Sequence, residues 1–229
     1  MYDALLTTHI SAGSLALAAM LVPLLAPKGG RIHRSGGWVF VAAMAAVSAS
    51  ALIMSVWILL LTPATVNGLR LLELTFIGAN AVWIGLRALR TKTRTSRSRN
   101  PLDLGMPLVL VVVSVGVVSA GARLSEQTLL GLGGTGFLLG AVHLRYWLRP
   151  PTSRMHWWFR HMSGMLFACI AATTAATTNF SKFGIWPGTT AAIAIVASVG
   201  IPGMLIWIGY YKRRFRSAEH ASEQIAAAE

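Results

Sequence analysis

The sequence predicts an all-α, polytopic integral membrane protein with seven transmembrane helices, its N-terminus outside the cytoplasm and its C-terminus inside. Three observations carry this expectation. The 229 residues are 55% hydrophobic and only 12% charged, where a soluble domain carries about a quarter charged residues. Apolar runs of about 20 residues, enough to span a bilayer, recur along the whole chain. Of the 20 Lys and Arg residues, 17 fall on the helix 1–2, 3–4 and 5–6 connections, the helix ends beside them and the C-terminal tail. Only Arg70, Arg123 and Lys182 fall on the opposite side. That asymmetry is the positive-inside pattern, and it requires an odd number of spans.

The elements follow in order. Helix 1 is expected over about Ala4 to Ala26, stopped by Pro27-Lys28-Gly29-Gly30. A signal peptide has a basic start and a short apolar core, whereas here the bases Lys28, Arg31 and Arg34 come after the run, so a retained first helix is expected. Helix 2 spans about Gly37 to Leu61 and helix 3 about Leu69 to Leu89. The segment Arg90 to Gly105 sets Lys92, Arg94, Arg97 and Arg99 among Thr and Ser, and reads as a mobile cytoplasmic loop. Helix 4 is expected from Met106 to Leu124, and helix 5 from Thr128 to Trp147. Helix 6 runs from Trp157 to Asn179, and helix 7 from Thr189 to Tyr211. Residues 1–211 thus form the transmembrane domain and 212–229 a polar cytoplasmic tail, with no stretch left for a second folded domain.

Packing signals lie on helices 5 and 6. Gly136 to Gly140 is a small-xxx-small step that lets backbones approach, and the Ala and Thr of residues 168–178 place helix 6 in the bundle interior. Pro202 is expected to kink helix 7. Trp57, Trp147, Trp157, Trp158, Trp186, Tyr210 and Tyr211 stand near helix ends, where interfacial anchors belong.

The net charge of +13 is distributed as topology determinants beside anionic headgroups, not as a nucleic-acid surface. The location that follows is the inner (cytoplasmic) membrane, multi-pass. Cys169 is the only cysteine, so it forms no internal disulfide and reads as a packing residue.

Ionisable groups within a membrane are costly and mark function by default. Toward the outer face lie His9 and Glu73, with Asn80 deeper on helix 3; toward the inner face lie His33, His143, His156 and His161. A helix rises about 1.5 Å per residue, so His9 and His161 cannot share one metal ion. His9, Glu73 and Asn80 are candidates for a proton or solute path. His33, His161 and His143 are candidates for cofactor binding, with His33 and His161 as metal ligands. The plainer alternatives are a Glu73 ion pair with Arg70 or Arg123, a structural hydrogen bond at His9, and interfacial histidines. No G-x-S-x-G elbow is present, and no aspartate falls within an expected span.

The stretch His9-Ile10-Ser11-Ala12-Gly13, followed by Lys28-Gly29-Gly30-Arg31-Ile32-His33-Arg34 and Gly37, resembles the opening of a bacterial family of predicted multi-helix membrane proteins of unknown function. Arg160-His161-Met162 through Met165, with Ile170-Ala171-Ala172-Thr173-Thr174-Ala175, is similar to a later segment of that family. The Pro202 region resembles its closing helix. Cys169 and Ala176 depart from the pattern, which has an aromatic and Phe there. The resemblance implies no activity; it singles out His9, His33 and His161.

Three classes of function remain open on these residues. The first is a histidine-dependent redox component holding haem or a transition metal. The second is a proton-coupled small-solute transporter. The third is a non-catalytic subunit of a larger membrane complex or a homo-oligomer.

Overall fold

The computed structural model describes residues 2–98, 100–180, 184 and 188–226, with the backbone path alone for 216–226. Seven helices follow one another among the described residues: α1 (Tyr2–Leu25), α2 (Arg31–Leu61), α3 (Thr65–Arg90), α4 (Pro101–Leu124), α5 (Gln127–Leu148), α6 (His156–Phe180) and α7 (Thr189–Ala226). Five contain stretches long and apolar enough to cross a membrane: α1 to α4, and Thr189–Phe215 of α7. The glycines of α5 and the histidines and threonines of α6 dilute the apolar character of the other two. The exterior is apolar over large areas, with Leu60 of α2 and Ile206 of α7 among the most exposed side chains, a surface suited to hydrocarbon.

Helices α1, α2, α3 and α6 close into a ring in which each packs on two neighbours, α1 on α2, α2 on α3, α3 on α6 and α6 on α1. Their shared core contains Ala16, Ala19, Phe40, Ala43, Met44, Ala81 and Ala168. The small residues bring the axes together, and Phe40 and Met44 fill what remains. Helices α2 and α6 stand on one diagonal of this bundle. The α4–α5 hairpin packs on α3 from outside the ring, and α7 lies mainly on α6.

The closest approaches occur at glycines. A methyl group on Gly164 of α6 would stand 2.8 Å from Ala81 O and from Gly85 N of α3. Gly133 and Gly140 of α5 likewise abut the α4 backbone, so the small-residue step on α5 does serve a helix contact.

Several element boundaries differ from the sequence reading. Helix α2 begins at Arg31, α3 at Thr65 and α4 at Pro101, and α7 continues through the polar segment to Ala226. Apolar runs mark the hydrocarbon-length part of a helix and miss polar turns beyond it. The early start of α4 has a local cause: the Asn100 side chain accepts from Leu102 N at 2.9 Å, and Pro101 stands at the first helical position.

Two further readings are corrected. The segment between α3 and α4 is pinned, not free: the Arg94 guanidinium donates to Tyr146 O and Arg149 O, and Ser98 N donates to Trp147 O. These acceptors are carbonyls of the α5 C-terminus, left without intrahelical partners. Trp147, expected at an interface, is fully buried, with Arg94 over its ring at 5.2 Å. Helix α7 continues through Pro202. Trp186 and Lys182 lie outside the described residues.

Candidate functional site

Two groupings of polar residues stand out, one inside the four-helix ring and one along the outward face of α3. The first joins His33 and His161 across the diagonal. His33 lies in the first turn of α2, and His161 lies in the second turn of α6. The α1 C-terminus leaves carbonyls without intrahelical partners, and His33 Nδ1 takes one of them, Pro23 O, at 3.1 Å. His161 Nδ1 donates to Gly85 O of α3 at 2.9 Å, a carbonyl reached because Gly85 and Gly164 bring the two backbones together.

A carbonyl only accepts, so each Nδ1 carries the proton and each Nε2 keeps its lone pair in the neutral ring. No hydrogen bond engages either Nε2 among the described residues, and neither atom is sealed from solvent. An imidazole held by Nδ1–H to a carbonyl, with Nε2 free, is the arrangement that orients a metal-binding histidine.

The ring centres are 6.4 Å apart and their planes are inclined by 71°. Two imidazoles holding one ion would have ring centres no more than about 6.3 Å apart, from a metal–nitrogen bond of about 2.0–2.1 Å and about 1.1 Å from nitrogen to ring centre. Tetrahedral ligation would bring the centres closer. Among the described residues no group of three His, Cys, Asp or Glu could hold an ion. The pair therefore lacks the four protein ligands of a structural zinc site. A haem iron would be one group for His33 and His161 to hold, since its macrocycle brings its own donors, and it would supply one-electron chemistry.

The second grouping is a seam on α3. Glu73, Asn80 and Arg87 are spaced by seven residues, which puts them along one face of the helix. Each meets a partner from the α4–α5 hairpin or the segment before it. Ser114 Oγ of α4 donates to Glu73 Oε1 at 2.6 Å. Asn80 Oδ1 pairs with His143 Nδ1 of α5. Arg87 binds Asp103 of α4 through Nε at 2.7 Å and Nη2 at 3.2 Å, and Ser98 Oγ donates to the same carboxylate at 2.6 Å. Glu73, Asn80 and Asp103 are all buried. Glu73 Oε2 and Asn80 Nδ2 are sealed from solvent and make no hydrogen bond among the described residues.

These contacts redraw the expected site groups. His9 does not meet Glu73; its Nδ1 lies 3.1 Å from Ser50 Oγ of α2, inside the ring. Glu73 forms no ion pair with Arg70 or Arg123, since Arg87–Asp103 is the one such pair among the described residues. His143 leaves the His33–His161 pair and joins Asn80, because α5 lies outside the ring. Asp103, read as part of a loop, lies within α4. Sequence reading missed Arg87, Asp103 and Ser114, although the seven-residue spacing on α3 signalled a shared polar face.

No family model, no curated protein and no solved structure matches the chain.

Proposed function

We propose that the chain crosses the bacterial inner membrane seven times, N-terminus out, and acts as a redox component that binds haem between His33 and His161. The spacing of two carbonyl-anchored imidazoles, with no third His, Cys, Asp or Glu grouped with them among the described residues, supports this reading. Bundle cores commonly hold cofactors between facing helices, and α2 and α6 face each other diagonally. Haem iron there would supply one-electron chemistry near the cytoplasmic surface. The chain's own part is to fix both tautomers through Pro23 O and Gly85 O.

The seven-span count is supported by the lengths of α5 and α6, 22 and 25 residues, since about 20 suffice to span. The orientation is supported by the basic residues on one set of connections. Reporter fusions at the Arg94 segment test it: a periplasmic signal there would reverse the assignment.

The decisive experiment on function is an absorption spectrum of detergent-purified protein from haem-replete cells, with elemental analysis. A Soret band with one iron per chain is expected, lost in His33→Ala and in His161→Ala but retained in His143→Ala. Colourless protein free of iron and other transition metals would end the reading.

A second reading, proton-coupled transport, is favoured by Glu73 Oε2 and Asn80 Nδ2, two buried polar atoms on one face of α3 that make no hydrogen bond among the described residues. It predicts a proton flux in liposomes that Glu73→Gln abolishes. Equal flux in the variant would exclude Glu73 from the path.

A further inference from the structure

A strongly basic cavity lies between the α3–α4 and α5–α6 connections. It measures about 390 Å³, and Lys92, Arg94, Thr152, Ser153, Arg154 and His156 are among the residues lining it. That volume is several times that of a phosphate group. No carboxylate lines it, and the one ion pair among the described residues, Arg87–Asp103, lies elsewhere.

The charge around this cavity is concentrated and fixed. Tyr146 carries Arg94 at 4.5 Å and Arg160 at 4.4 Å from its ring centre. Lys92 stands 4.5 Å from the Trp157 ring. Arg154 makes no hydrogen bond or ion pair among the described residues, so its five donors are free for a ligand. Like charges gathered without a counter-ion repel one another, and a bound anion removes that penalty.

Two nitrogens of the cavity-lining residues are enclosed by protein and not open to the cavity. Arg94 Nε is sealed from solvent with no acceptor, although the rest of its guanidinium is engaged by carbonyls. His156 Nε2 is likewise sealed from solvent, with the Lys92 backbone beside the ring. Its Nδ1 lies 2.8 Å from the Tyr146 hydroxyl.

We propose that this cavity is a binding site for a phosphate-bearing anion, recognised by Arg154 and Lys92 beside the fixed charge of Arg94. The chemistry is shared by an anionic phospholipid headgroup and by soluble phosphate, and basic pockets at this level of a membrane protein suit either. The site is independent of the His33–His161 reading.

The experiment uses full-length protein in nanodiscs. In phosphatidylcholine discs, inorganic phosphate is titrated by calorimetry; in discs of mixed phosphatidylcholine and phosphatidylglycerol, lipid retained by the protein is counted by native mass spectrometry. Saturable phosphate binding in the first arm identifies a soluble ligand, and preferential retention of one phosphatidylglycerol per chain identifies a lipid headgroup. Either supports the site, provided that Arg154→Gln weakens it about fivefold, as expected for the loss of one cationic contact. Arg154 has no structural partner to lose, so this variant is expected to fold. Raising the salt concentration is expected to weaken wild-type binding as well. No binding in either arm, or unchanged binding in Arg154→Gln, would overturn the assignment.

Discussion

Gly136 of α5 and Glu73 of α3 compete for one space: a methyl group on Gly136 would fall on Glu73 Oε1 and stand 2.5 Å from Ser114 Oγ. The glycine leaves room for the hydrogen-bonded carboxyl where α3, α4 and α5 meet. Gly136→Ala must evict the carboxyl or separate the helices, and overpacking of this kind costs about 1–3 kcal/mol. Gly131 on the same helix has nothing within 4 Å of its Cβ position, so Gly131→Ala is expected to be near neutral. Thermal melting of both variants in detergent checks the contrast. Equal melting temperatures would show that the carboxyl does not need the space.

The Arg87–Asp103 pair closes the same seam at its other end. Asp103 is fully buried, while Arg87 keeps 22% of its side-chain surface exposed. Removing one partner of a buried pair leaves the other uncompensated, at a cost of about 3–5 kcal/mol. Partial exposure of Arg87 puts Asp103→Leu near the lower end, about 3 kcal/mol. Replacing both by leucine removes the stranded charge, so the double variant is expected to be more stable than Asp103→Leu alone. A double-mutant cycle in detergent denaturation measures this; a double variant less stable than either single one would contradict it.

How much of this could be read from the sequence follows from which contacts are local. Helices are legible because five of them contain apolar stretches long enough to cross a membrane. Their polar first and last turns, such as Arg31 to Gly36 and Pro101 to Gly105, are helical for reasons that apolar length does not reveal. The proximity of His33 and His161 was anticipated from their shared end of the bundle. The pairings Glu73–Ser114, Asn80–His143 and Arg87–Asp103 depend on the hairpin α4–α5 docking on α3, which no local pattern specifies. What the pattern did contain was the repeat of Glu73, Asn80 and Arg87, a single polar face that required polar partners. Trp147 misled because a Trp near a helix end is usually an anchor; here the connection before α4 folds over it through Arg94 and Ser98.

That folded-over connection makes a prediction of its own. Arg94 donates to Ser96 O, Tyr146 O and Arg149 O at 2.8–3.0 Å. Lysine carries the charge but lacks the planar fork that reaches all three acceptors. Arg94→Lys is expected to raise local opening about tenfold, corresponding to the loss of about one charge-assisted hydrogen bond. Trypsin cleavage after the exposed Arg97 reports that opening when closing outpaces cleavage. A cleavage rate equal to wild type would show that the charge alone holds the segment.

The tightest backbone contact in the ring bears directly on the proposed haem site. At Gly164 an added methyl meets only backbone: Ala81 O at 2.8 Å, Gly85 N at 2.8 Å and Gly85 Cα at 2.9 Å. No side chain can yield, so Gly164→Ala must part α3 from α6. Gly85 O, which fixes the His161 tautomer, then moves away from Nδ1 although both histidines remain. The variant is expected to lose stability by about 1–3 kcal/mol. It is also expected to hold haem about tenfold more weakly, the lower end of what losing an outer partner of a ligand costs. Gly134→Ala, with nothing within 4 Å, serves as the control for a glycine change alone. Haem-to-protein ratio and melting temperature, measured on the same preparations, separate the two effects. A Gly164→Ala protein that melts lower yet keeps full haem would show that the Gly85 carbonyl does not position His161.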